Sequence, residues 1–184
     1  TRLATPAQGR RLTPRRIGAA LTSIPDVIDK FRAEPSSTKR GTRFEELMVS
    51  YFETDPTLAS EYDGVTRWRD WDHNEGTSDS GIDLVARNKH TGRWTAIQCK
   101  FYDSGHYLQK KDIDSFFTAS GKAWEQIWFD NRIIISTTDR WSSQAERALE
   151  HQSLPVQRIG LAEIAESPID WMFTPEKLSY EPRK

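Results

Sequence analysis

Two strand-like runs limit what this chain can fold into. Gly81-Ile82-Asp83-Leu84-Val85-Ala86 is followed, after the turn-like Asn88-Lys89-His90-Thr91-Gly92, by Trp94-Thr95-Ala96-Ile97-Gln98-Cys99-Lys100-Phe101. Alternation sends Ile97, Cys99 and Phe101 to one face of the second strand and Gln98 and Lys100 to the other. Paired as a hairpin, the strands bring Asp83 beside Gln98 and Lys100. A carboxylate, an amide oxygen and an ammonium then converge at one sheet edge. Such a set suits a hard metal ion next to a phosphate.

The 184 residues fit one domain with an added arm and can bury a proper core. A hydrophobic fraction of 36% against 29% charged describes a soluble protein with a large wet surface. No apolar run reaches the roughly 18 residues of a membrane span, and no signal-peptide pattern opens the chain. No membrane partner is expected. Cys99 is the one cysteine, so an internal disulfide is impossible and a reducing, cytoplasmic setting is expected.

The net charge of −1 hides an asymmetry. Thr1 to Arg43 holds ten Lys/Arg against Asp26, Asp29 and Glu34, so this section carries +7 and the remainder −8. A basic arm on an acidic body points to a local nucleic-acid contact or an acidic partner, with a solvated helix face as the alternative. The near-neutral total argues against strong nonspecific DNA binding.

Helical spacing runs from Thr13 through Ile17, Leu21 and Ile24, with Pro25 ending or kinking that helix before Val27, Ile28 and Phe31. Thr38 or Thr42 opens the clearest helix, striped by Phe44, Leu47, Met48, Tyr51 and Phe52 and stopped at Asp55-Pro56. Val65 to Trp71 alternates as a strand, and Asp72 to Ser80 is a polar loop. Helices are expected at Asp112–Ala123, Ser142–His151 and Leu161–Ala165, and strands at Asn131–Thr138 and Pro155–Ile159. The order predicts an α/β domain with a mixed sheet and helices on both faces. Residues 1–37 read as a basic arm and helix, 38–166 as the core, and 167–184 as an extension or linker.

Each chemistry-bearing residue has a plain reading beside a functional one. Asp in an apolar strand is disfavoured, and a buried unpaired carboxylate is costly. A metal ion accounts for Asp83; so does a salt bridge to Lys100, or a strand-end position. Lys100 can polarise a phosphate or hold a water, or else snorkel to solvent. Gln98 is a weak neutral ligand or an ordinary hydrogen-bonded amide. Cys99 on its inward face is a core residue. The seven tryptophans read mostly as core. The four histidines lack zinc-site spacing. Lys110 and Lys111 follow the second strand and track phosphate or merely start a helix; Arg40 and Arg43 are further DNA-contact candidates.

Gly81-Ile82-Asp83-Leu84 followed by Gln98-Cys99-Lys100 on adjacent strands resembles the PD-(D/E)xK nuclease superfamily. It is closest to the Mrr-like branch, where Gln replaces the second acid. Gly41-Thr42-Arg43-Phe44-Glu45-Glu46 resembles that family's first core helix. Gln98 to Tyr102, Phe117-Thr118-Ala119-Ser120, Ile135 to Asp139, Pro155 to Gly160 and Ser167 to Trp171 extend the likeness to the amino-terminal nuclease domain of single-chain type ISP restriction-modification enzymes.

The resemblance implies a restriction-endonuclease-like core, with a central sheet of about four to five strands flanked by helices. It implies a DNA endonuclease using Mg²⁺, with Mn²⁺ able to substitute, that acts on double-stranded DNA and leaves 5′-phosphate ends. Asp83, the Gln98 side-chain oxygen and the Cys99 backbone carbonyl would hold the ion, Glu45 would bind it through water or orient a water, and Lys100 would serve water or phosphate. Asp79 is a further candidate. In that family a helicase-like translocase, a methyltransferase and a target-recognition domain follow on the same chain. This sequence stops before any helicase motif, as an excised domain or a stand-alone relative would. The alternative is a nuclease-like module that binds DNA or docks without cutting.

Overall fold

The computed structural model describes residues 23–171. The helix expected from Thr13 thus lies largely outside the described residues. Helix α1 (Ile24–Arg32) starts with a reciprocal cap between Ser23 and Asp26, and Pro25 stands in its first turn. There the missing N–H costs nothing, so Pro25 opens this helix. Ile24, Val27, Ile28 and Phe31 recur at helical spacing and are all buried.

Helix α2 (Ser37–Thr54) begins earlier than either expected threonine, because the Ser36 hydroxyl accepts from the Lys39 N–H at 3.3 Å. Phe44, Leu47, Met48, Tyr51 and Phe52 form its buried stripe. Asp55 ends α2 and caps the short α3 (Pro56–Glu61), its Oδ1 accepting from the Thr57 and Leu58 N–H groups at 3.0 Å each.

The sheet has five strands in sequential order: β1 (Tyr62–Arg67), β2 (Leu84–Asn88), β3 (Trp94–Lys100), β4 (Phe129–Ser136) and β5 (Val156–Ile159). The first three are antiparallel, and β4 and β5 run parallel to β3. Strand β1 starts earlier than expected and carries a bulge between Asp63 and Thr66. Trp68–Asp70 then turns as a single 3₁₀ segment instead of continuing the strand. Helices α4 (Asp114–Ser120), α5 (Ser143–Ala148) and α6 (Leu161–Ala165) are the other α-helices among the described residues.

Period-two alternation splits the apolar residues between two faces. Leu84, Ala86, Ile97, Ile133 and Ile135 pack with α1, α2 and Ile164 of α6. Val85, Ala96 and Ile134 pack with Trp68, Trp71, Trp124, Phe129, Phe116 of α4 and Ala145 of α5. Each fully buried side chain of this size contributes about 1.5–3 kcal/mol. Helix α1 and Trp171, on either side of the 38–166 span, belong to the first cluster, with Trp171 5.9 Å from the Tyr51 ring. Among the described residues, no helix is long and apolar enough to cross a membrane.

Strand directions gather one set of termini on one edge. Arg67 at the end of β1 pairs with Leu84 at the start of β2, and Lys100 at the end of β3 pairs with Ser136 at the end of β4. Asp83 stands on this edge, immediately before β2.

Candidate active site

Three backbone contacts fix Asp83. Its N–H donates to the Ile97 carbonyl at 3.0 Å, its carbonyl accepts from the Trp68 N–H at 2.8 Å, and Oδ2 accepts from the Cys99 N–H at 2.7 Å. Gly81 makes this approach possible. Its φ is +90°, and a Cβ there would lie 2.7–2.9 Å from Ser115 atoms of α4. Only glycine takes that conformation in that space without strain.

Within a strand, the N–H and C=O of one residue point to the same side. The Cys99 N–H reaches Asp83, so the Cys99 carbonyl also faces the Asp83 side. Gln98 is buried, and its Nε2 donates to the Gly81 carbonyl at 3.1 Å while Oε1 has no partner. Unpaired buried acceptors are few in folded proteins and call for a reason.

A cleft of about 350 Å³ opens beside Asp83, lined in part by Glu45, Arg67, Arg69, Asp79 and Thr38. Glu45 on α2 accepts from Arg67 through Oε2, at 3.1 Å from Nε and 3.0 Å from Nη2. Arg67 also stands 3.7 Å from Glu46. Burial raises the Glu45 carboxyl above its ordinary value, with Arg67 opposing the rise.

Burial also pushes Asp83 up to about 7. The Cys99 N–H and the nearby Lys100 ammonium oppose that shift, and the Glu45 and Asp79 carboxylates reinforce it. Burial likewise pushes the Cys99 thiol well up, which keeps it neutral. Asp83 thus carries a carboxylate that is expensive to ionise without a counter-cation.

The donors present fit a hard divalent ion. One buried carboxylate, one unpartnered amide oxygen and one strand carbonyl are all oxygen ligands. Mg²⁺ characteristically binds one or two carboxylates and keeps several waters. Among the described residues no three His, Cys, Asp or Glu side chains form a metal cage, so an ion here would rely on neutral oxygens and water as well.

The remaining candidates sit apart from the cleft lining. Lys110 pairs with Asp114 at 2.6 Å, and Lys111 is exposed beside it. Arg40 donates to the Glu34 carbonyl at 3.2 Å, and Arg43 lies 3.8 Å from the Glu34 carboxylate. Arg67 and Arg69 were missed in sequence. Their signal was two arginines spaced by two in Val65 to Trp71, leading into the Asp83 loop.

A solved structure of the ATP-dependent type ISP restriction-modification enzyme LlaBIII bound to DNA is similar over 83% of this chain, at 27% identity and a TM-score of 0.63. This chain spans 9% of that enzyme's length. The DNA modification-dependent restriction endonuclease AspBHI matches over 84% of this chain and 39% of its own, at 15% identity and a TM-score of 0.48. MspJI restriction endonuclease, in complex with a 27-mer oligonucleotide, matches over 89% and 34%, at 15% and 0.47. No curated protein matches the chain. A family model described as restriction endonuclease, of the Mrr catalytic type, matches residues 53–179, a span that holds Asp83, Gln98 and Lys100 but begins after Glu45. With more than half its length matched, the chain belongs to the Mrr-type restriction endonuclease family.

Proposed function

We propose that the chain is a Mg²⁺-dependent DNA endonuclease domain, the nuclease module of a restriction-modification enzyme that also carries a helicase-like translocase. The observation that carries this reading is Asp83. Its buried carboxylate is held by the Cys99 N–H at the sheet edge, near an unpartnered Gln98 oxygen. Burial makes this carboxylate costly to ionise, and a divalent cation beside it would offset that cost.

Asp83, Gln98 Oε1 and the Cys99 carbonyl would hold the ion, and Glu45 would reach it through water once released from Arg67. When bound, a divalent ion would supply a more acidic water and neutralise charge on the phosphate. The Lys100 ammonium orients the attacking water or stabilises charge developing on the scissile phosphate. Water oxygen bonds to phosphorus, the P–O3′ bond breaks, and the products carry a 5′-phosphate and a 3′-hydroxyl. Arg69, exposed on the cleft rim, supplies a cation for the adjoining backbone.

The Glu45–Arg67 ion pair favours a second reading, a module that binds DNA without cutting it. A Mg²⁺ titration of plasmid nicking, with Asp83→Asn as control, separates the two. Mg²⁺-dependent nicking abolished by Asp83→Asn supports the nuclease. Persistent binding with no nicking at any Mg²⁺ or Mn²⁺ concentration supports the silent module.

A further inference from the structure

Lys100 ends β3, yet the chain does not leave the edge after it. The Thr137 hydroxyl accepts from the Tyr102 N–H and donates to the Tyr102 carbonyl, at 2.7 Å each. The Thr138 hydroxyl donates to the His106 carbonyl at 2.8 Å. The Leu108 N–H donates to the Arg140 carbonyl at 2.8 Å, and the Ser142 N–H to the Leu108 carbonyl at 2.9 Å. The loop after β3 is therefore zipped to the segment after β4. Leu108 is fully buried and anchors it, which turns the preceding Tyr107 outward.

Tyr107 is 52% exposed, and the Arg140 guanidinium lies over its ring, 5.6 Å from the centroid. Arg140 is exposed and makes no salt bridge to the described residues. Lys111 is exposed a few residues further on. Asp83, just before β2, and this pair, beyond the end of β4, stand at the same edge of the sheet.

A cation alone would serve a phosphate. An exposed ring on an anchored stretch of backbone, with an arginine over one face, offers its other face to something flat. Duplex DNA presents backbone and groove edges outward, and a ring finds a π partner only where a base has left the stack. Resting on the nuclease reading above, we propose that Tyr107 and Arg140 form a platform that stacks an unpaired base of DNA engaged at the Asp83 edge of the sheet, so that this domain engages single-stranded or locally opened DNA. Trp128 is more exposed, at 65%, but precedes β4 on the opposite edge of the sheet and serves as the internal control.

The test uses the full chain carrying Asp83→Asn, without metal, so that binding is read independently of cleavage. The probe is a single-stranded oligonucleotide containing 2-aminopurine, compared with the same strand in duplex. Tyr107→Ala should weaken single-strand binding about ten-fold or more, the loss of one base–aromatic stack, and abolish the fluorescence change on binding. Tyr107→Phe should retain both, and Tyr107→Leu should lose the fluorescence change while keeping apolar bulk. Arg140→Ala should weaken binding and reduce the salt slope by about 0.7. Trp128→Ala should bind as the parent does. Equal binding of single strand and duplex, or indifference to Tyr107→Ala, overturns the platform. Mg²⁺-dependent nicking by the unmutated chain would stand in that case, so the two readings fail separately.

Discussion

The Cys99 backbone N–H donates to Oδ2 of Asp83 at 2.7 Å, a neutral hydrogen bond to a carboxyl pushed up to about 7 by burial. A carboxyl near 7 when folded and near 3.8 when unfolded binds its proton more tightly in the folded chain. Without metal, this residue makes the protein lose stability as pH rises from about 4 to about 7, with the loss complete above that. Asp83→Asn keeps an acceptor for Cys99 and removes the titration. It should raise Tm at pH 8 and change it little at pH 4. A Tm difference that is the same at both pH values would place Asp83 in solvent.

The same site should bind metal with its own pH dependence. Mg²⁺ needs the ionised carboxylate, so affinity should rise between about pH 6 and 8 and level off beyond. Asp83→Ala should lose both metal binding and nicking, the latter by a few orders of magnitude. Lys100→Ala should lose turnover while keeping most metal binding, because an ammonium acts on water or phosphate. Equal loss of metal binding in both variants would make Lys100 a support for Asp83.

Arg67 and Glu45 should be energetically coupled across the cleft. Their bond joins β1 to α2, and both side chains are about one-fifth exposed. Removing either leaves a largely buried charge without its partner, costing about 1–3 kcal/mol. A double-mutant cycle on Arg67→Ala and Glu45→Ala should give a coupling energy of about 1 kcal/mol or more by denaturant unfolding. Additive losses would show that the ion pair contributes nothing to the fold.

Gly81→Ala should be worse than an ordinary loop substitution. The positive φ costs about 1–2 kcal/mol for any L side chain. The new methyl also meets the Ser115 backbone carbon at 2.8 Å. Relief requires moving α4 or the Asp83 approach, so metal affinity should fall along with Tm. Gly41, inside α2 with open space where a Cβ would stand, provides the contrast. Gly41→Ala should stabilise by about 0.5–1 kcal/mol. Similar effects of the two substitutions on Tm would contradict the close packing at Gly81.

The hairpin was legible because its signal is local. Apolar alternation set the two strands, and Asp83, Gln98 and Lys100 stood out as groups a strand does not need. Leu161–Ala165 was also legible from its spacing. The boundaries that moved did so for reasons beyond periodicity. Ser36 capped α2 earlier than Thr38 or Thr42 could, and the bulge between Asp63 and Thr66 shifted β1 toward Tyr62. Trp68 was drawn into the aromatic cluster by Trp71 at 5.3 Å and Trp124 at 4.7 Å, which ended the strand. The Glu45–Arg67 contact spans 22 residues and depends on how α2 lies over β1, which no local pattern encodes.

Gln98→Glu tests the least obvious member of the site. The Gln98 Nε2 now donates to the Gly81 carbonyl at 3.1 Å. A carboxylate in its place would face that carbonyl oxygen without a proton to share, in a buried position near Asp83. The metal-free variant should therefore be less stable than the parent above neutral pH, where both carboxyls ionise. Metal reverses the balance, because a second anionic oxygen strengthens the hold on a hard cation. Binding to the folded state alone stabilises by RT ln(1 + [L]/Kd), so the Tm gain per increment of Mg²⁺ should be larger in the variant. Nicking should persist, with a changed preference between Mg²⁺ and Mn²⁺. If the variant melts as the parent does with and without Mg²⁺, the Gln98 side chain lies outside the metal's reach, and its unpaired oxygen needs another explanation.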